Sequence, residues 1–137
     1  MVEKIVFTNG CFDILHIGHV HYLNEAKSLG TKLIVGLNSD NSVKRLKGNE
    51  RPINNEMDRK FILENLKAVD EVIIFDEDTP ENLIKKVRPN ILVKGGDWPI
   101  DKIVGYEFVT ASGGEVKSLS FKNGYSTTST LEKIKSL

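Results

Sequence analysis

The sequence predicts an α/β fold, a Rossmann-like doubly wound sheet of about five parallel strands with helices on both faces. Three observations lead there. Short, nearly continuous apolar runs such as Ile5-Val6-Phe7 and Leu33-Ile34-Val35-Gly36-Leu37 read as strands buried on both sides. Segments with apolar residues at helical spacing alternate with those runs. Polar turns, several containing glycine, follow the strand ends. The length of 137 residues suits a single domain over 1–137, with no internal repeat or linker.

Taken in order, Ile5-Val6-Phe7 is the first strand. The helix after it runs from Val20 to Leu29, stops at Gly30 and buries Tyr22, Leu23, Ala26 and Leu29. Leu33 to Leu37 forms the second strand, and a short polar helix carries Ser42 to Leu46. Lys47-Gly48-Asn49-Glu50-Arg51-Pro52 is a charged loop. Asn54 or Asn55 caps a helix that turns Met57, Phe61, Ile62, Leu66 and Val69 inward. Glu71 to Phe75 is the third strand, and Thr79-Pro80 opens a helix that Pro89 ends. Ile91-Leu92-Val93 is the fourth strand, and a weaker helix spans Val104 to Ala111 before Gly113-Gly114. Val116 to Leu119 completes the sheet, and Ser126 or a neighbouring hydroxyl caps a final helix through Ile134.

Bulk properties exclude several classes. Lysine plus arginine equals aspartate plus glutamate at 19 each, so no global field draws nucleic acid or a membrane surface. No apolar run is long enough to cross a bilayer, and Glu3-Lys4 leads directly into a strand instead of a signal peptide. The cytoplasm is the expected compartment. The single cysteine, Cys11, forms no internal disulfide and agrees with reducing surroundings. It reads as a small residue packed in a tight turn rather than a reactive thiol.

In a doubly wound sheet, ligands bind beyond the carboxyl ends of the strands. The chemistry-bearing residues follow those ends: Thr8 to His19, Asn38-Ser39-Asp40, Asp76-Glu77-Asp78, Lys94 to Trp98 and Lys122 to Thr128. His16 and His19 flank Gly18 at a helix start, where imidazoles and backbone N–H groups face one anion. They lack a third ligand for zinc and suit charge stabilisation on a phosphoryl group, or form a structural pair at the helix start. Ser126-Thr127-Thr128-Ser129 opens a second helix and reads as a second anion clamp, or as plain capping. Lys44, Arg45, Lys47 and Arg51 read as a solvated charge run or, flanking a phosphate site, as a flexible basic loop able to close on polyanions. Arg59 sits early in its helix, where a cation opposes the dipole, which makes it a better functional candidate than a surface arginine. Asp13 and Asp40 are candidates for a sugar hydroxyl or Mg2+, or turn residues. Asp97 with Trp98 suits a ribose and a base, or reads as a turn aspartate beside a core tryptophan.

Gly10-Cys11-Phe12-Asp13 with His16-Ile17-Gly18-His19, and later Tyr125-Ser126-Thr127-Thr128-Ser129, resembles the cytidylyltransferase-like nucleotidyltransferases, which share a HxGH motif. Val43 to Gly48, Arg51-Pro52-Ile53-Asn54 and Leu92 to Asp97 look like the adenylyltransferase half of ADP-heptose synthase, without its sugar-kinase half. The resemblance implies transfer of AMP from ATP, with Mg2+, to D-glycero-β-D-manno-heptose 1-phosphate in lipopolysaccharide core synthesis. It implies that His16 and His19 stabilise the α-phosphorus, with Lys44 or Lys47 beside them. Gly10, Cys11, Phe12, Gly18, Gly95 and Tyr125 would line the nucleotide, Asp97 would take the ribose, and Ser126, Thr127 and Thr128 the β- and γ-phosphates. Arg59 would neutralise phosphate, while Asp13, Asp40, Lys44 and Arg51 would meet the sugar phosphate. No side-chain metal site is implied, the partners are small molecules, and a homodimer is expected by analogy. The rivals are a glycerol-3-phosphate cytidylyltransferase or related enzyme, and a non-catalytic nucleotide sensor.

Overall fold

Successive strand residues face opposite sides of a sheet, and here both sides are apolar. A computed structural model describes residues 2–121 and 125–137. Its strands are β1 (Ile5–Gly10), β2 (Lys32–Asn38), β3 (Glu71–Phe75), β4 (Ile91–Gly95) and β5 (Glu115–Leu119). They form one five-stranded sheet in the order β3-β2-β1-β4-β5, and every pairing is parallel. The helices are α1 (Ile17–Ser28), α2 (Asp40–Lys47), α3 (Glu56–Glu64), α4 (Glu81–Val87), α5 (Tyr106–Ala111) and α6 (Thr127–Lys135). A 3-10 turn, Ile100–Lys102, precedes α5. The predicted fold class is therefore the observed one.

Strand alternation builds two cores. Val6, Leu33, Val35, Ile91 and Val93 pack with Tyr22, Leu23 and Ala26 of α1 and Leu63 of α3. Phe7, Ile34 and Leu92 pack on the other face with Leu83 and Ile84 of α4 and Val109 of α5. Each such side chain, fully buried, contributes about 1.5–3 kcal/mol. The strand order reverses at β1, between β2 and β4, which opens a crevice at its carboxyl end.

Several local expectations change. Helix α1 starts one turn earlier than Val20, because His16 rather than a hydroxyl caps it. Gly30 does follow the C-cap Leu29, yet a Cβ there would meet the Lys4 carbonyl oxygen at 2.5 Å, so close approach explains the glycine. Ser39 caps α2, which begins at Asp40 instead of Ser42. Pro80 stands at the N-cap of α4 without a side-chain cap bond, and the left-handed Arg88 (φ 53°) ends that helix before Pro89. The clearest correction concerns α3. Met57, Phe61 and Ile62 are exposed, and the inward residues are Arg59 and Leu63. Leu66 and Val69 lie beyond the helix end, where they pack on the first core. The inner face carries a charge, so apolar spacing alone selected the outer face.

Candidate active site

The crevice beyond β1 has two lobes. The smaller, about 170 Å3, is lined by Phe12, His19, Arg51, Phe121 and Thr127 among others. The larger, about 440 Å3, is lined by Asn38, Asp78, Thr79, Trp98, Lys102 and their neighbours. Asn9, Gly10, Cys11, Lys47 and Lys94 line both, so the lobes meet over the end of β1.

The backbone after β1 sets the histidines. Phe12 has a left-handed φ of 45°, which costs an L-residue about 1–2 kcal/mol. That turn lays its ring under Gly10, where a Cβ would meet it at 2.8 Å. The same ring packs edge-on against His19 at 5.4 Å. His16 and His19 stack at 3.8 Å between centroids. The Gly18 N–H donates to His16 Nδ1 (3.1 Å) and the His16 N–H to His19 Nδ1 (3.3 Å). Both Nδ1 atoms are therefore acceptors, which places the proton of each neutral ring on Nε2. Burial pushes both imidazoles below their ordinary range. For His19, with help from His16 and Lys47 nearby, the value falls to about 4. The pair is neutral at pH 7 and offers two Nε2–H donors. A Cβ on Gly18 would press within 2.9 Å of the His16 ring, so glycine is needed between them.

Other predicted residues divide into those at the crevice and those behind it. Arg59 is 1% exposed and wholly engaged: it donates to the carbonyls of Cys11 (2.8 Å), Asn38 (2.9 Å) and Asn54 (2.9 Å) and to Asp40 (2.9 Å). It ties the ends of β1 and β2 to the loop before α3. Asp40 is the other half of that ion pair. Asp40 and Lys44 line a separate pocket between α2 and α3, away from both lobes. Lys47, one turn further along α2, is the lysine that reaches the crevice. Asp13, 3% exposed, accepts from Arg51 Nε (3.0 Å) and the N–H groups of Ile53 (2.8 Å) and Asn54 (2.9 Å). Burial pushes its carboxyl up, but those donors outweigh it and hold the carboxyl below its usual range. The Cys11 thiol is pushed up by burial, more than the nearby cations pull it down, which fits the packed residue expected of it.

On the β4 side, Phe121 lies over Gly95, where a Cβ would meet its ring at 2.3 Å. Exposed Asp97 accepts from Ser120 Oγ (3.3 Å). Trp98 is half-exposed, donates Nε1–H to the Gly95 carbonyl (3.0 Å) and has the Lys94 ammonium 5.5 Å from its ring. Ser126 caps α6 by accepting from the Ser129 N–H (3.0 Å), and Thr127 Oγ1 donates to the Ile14 carbonyl (3.2 Å). Thr128 is exposed beside them, and the Tyr125 ring lies 6.4 Å from His16. Of the predicted stretch 122–128, residues 122–124 lie outside the described residues. Asn9, Lys94, Phe121 and Lys102 also line the crevice, although sequence reasoning assigned none of them a role there. The first two stand in predicted post-strand segments, whereas a lysine in a 3-10 turn carries no such signal.

A model of the family described as cytidylyltransferase-like matches residues 7–133. The chain belongs to that family. It is therefore a nucleotidyltransferase-type enzyme with an α/β Rossmann-like sheet. Among similar cytidylyltransferase-like proteins, the bifunctional protein HldE of Marinomonas sp. (strain MWYL1) is 60% identical over 131 residues, 96% of this chain. HldE of Histophilus somni (strain 129Pt) is 57% identical over 135 residues, 98% of this chain. The chain spans 28% of the length of each of these curated relatives. The solved structure of a lipopolysaccharide core biosynthesis protein from Thermoplasma volcanium GSS1 is 34% identical, with a TM-score of 0.70. That likeness covers 88% of this chain and 98% of the other. No helix among the described residues is long and apolar enough to cross a membrane.

Proposed function

We propose that the chain transfers AMP from ATP to D-glycero-β-D-manno-heptose 1-phosphate, releasing pyrophosphate and ADP-heptose. The observation that carries this reading is the meeting of two lobes at Gly10, Cys11 and Lys47, beside two imidazoles with Nε2–H donors. A two-substrate transfer needs two polyanions to converge on one phosphorus, and the crevice offers that convergence. The heptose-type motifs, and the likeness to HldE proteins and a lipopolysaccharide core biosynthesis protein, support the choice of acceptor.

In this scheme the triphosphate of ATP enters the smaller lobe, with the adenine toward Phe121 and the ribose at Asp97, which lines neither lobe. The sugar phosphate fills the larger lobe. One of its oxygens, already ionised, attacks the α-phosphorus, and the bond to the leaving pyrophosphate breaks. No general base is required. His16 and His19 donate neutral hydrogen bonds to the oxygens on which charge builds, and Lys47 faces both substrates. Thr127 and its neighbours Ser126 and Thr128 receive the outer phosphates. Mg2+ bound to the ATP phosphates would supply charge neutralisation. The one carboxylate on the smaller lobe, Asp13, has its oxygens committed to N–H donors, so the ion would be held by phosphate oxygens.

The test is pyrophosphate release from ATP or CTP with heptose 1-phosphate, other sugar phosphates and glycerol 3-phosphate. Release with ATP and heptose 1-phosphate is expected. Release with CTP and glycerol 3-phosphate instead would transfer the chain to that relative. ATP binding without release from any acceptor would make it a sensor.

A further inference from the structure

We propose that Arg51 grips the triphosphate of ATP, rather than the acceptor sugar phosphate, and that buried Asp13 positions it. This rests on the reading of the smaller lobe as the nucleotide site. Arg51 lines that lobe together with His19, Lys47 and Thr127, and it does not line the larger one. Its Nε donates to Asp13 Oδ2 at 3.0 Å. The Asp13 carboxylate is itself fixed by two backbone N–H groups, so one edge of the guanidinium is locked in place.

The edge that carries Nε has an unusual second atom. Among the described residues, Arg51 Nη2 is buried and has no hydrogen-bond partner. Buried polar atoms in folded proteins are nearly always paired, and a charged donor has the most to gain from a partner. A guanidinium held through Nε alone and unpaired at Nη2 keeps donor capacity for an anion, and its planar fork matches phosphate. Other lining groups of the lobe, among them the His19 imidazole, the Lys47 and Lys94 ammoniums and the Thr127 hydroxyl, recognise the same chemistry. Arg59 gives the contrast, because its guanidinium nitrogens all have partners within the chain.

The decisive measurement is calorimetric titration of Mg-ATP and of inorganic pyrophosphate into wild type, Arg51→Gln and Arg51→Lys. Steady-state rates with varied ATP and varied acceptor accompany it. Both ligands should bind at least about tenfold more weakly to Arg51→Gln, and Arg51→Lys should recover part of the loss, since an ammonium cannot serve Asp13 and phosphate in the same fork. KM for the acceptor should stay within about twofold. In an Arg51→Gln background, Asp13→Asn should weaken pyrophosphate no further, because Asp13 acts through Arg51. Unchanged pyrophosphate affinity in folded Arg51→Gln, or a rise confined to the acceptor KM, overturns the proposal. Failure of the wild type to bind ATP or pyrophosphate would overturn the nucleotide-site reading as well.

Discussion

At the start of α1, two stacked imidazoles cap the helix and hold each other's orientation through backbone N–H groups. At the start of α6, exposed Ser126 caps the helix, Thr127 reaches the Ile14 carbonyl, and no residue of the helix is buried. Both termini present donors beside the same lobe, yet only the first is set in the core. A rigid donor pair costs no reorganisation when charge develops, which is what a transition state requires. A surface-held donor set adapts as phosphates arrive and leave, which suits binding and release. Under the proposed function the two termini therefore divide the work: α1 would act on the reaction, α6 on occupancy.

The strongest way to break that division is His16→Ala. It removes one Nε2–H donor and the acceptor for the Gly18 N–H, so kcat should fall by about 10²–10³-fold. Pyrophosphate release and a thermal melt are the readouts, and a near wild-type rate from the folded variant would contradict the assignment. A second probe is pH. With His19 titrating at about 4, both partners stay neutral, and the transfer rate should not decline as pH rises through 6.5. A loss there would mean that imidazolium is the working form. Linkage sets the sign for stability: the unfolded chain takes up a proton near pH 6.5 that folded His19 refuses until about 4. Unfolding free energy should therefore fall as pH drops across that window, and less so in His19→Gln. The smallest effect is expected from Ser126→Ala. Losing this cap costs about 1 kcal/mol locally, raising KM for ATP several-fold with kcat nearly unchanged.

Strands buried on both faces announce themselves as apolar runs, so the sheet was legible in the sequence. The polar residues at the end of each run, from Thr8 to His19 above all, mark the crevice equally well. Residues that must couple across the chain were not legible. Asp13 and Arg51 lie 38 positions apart, and only the fold shows one holding the other. Arg59 stands out for its odd place near a helix start, but whether it faces phosphate or carbonyls depends on packing. Lys44 and Lys47 are equivalent by composition, and the register of α2 separates them. The exposed Met57 and Phe61 show the limit of periodicity when the buried face of a helix is built around a guanidinium.

The chain contains one tryptophan, and it is Trp98. Half-exposed on the wall of the larger lobe, with its indole N–H anchored to the Gly95 carbonyl, it is the sole indole fluorophore of the molecule. A ligand entering that lobe displaces water from the ring, so emission should shift as the lobe fills. If the acceptor takes the larger lobe as proposed, its binding can thus be followed optically in the native chain, without a label and without turnover.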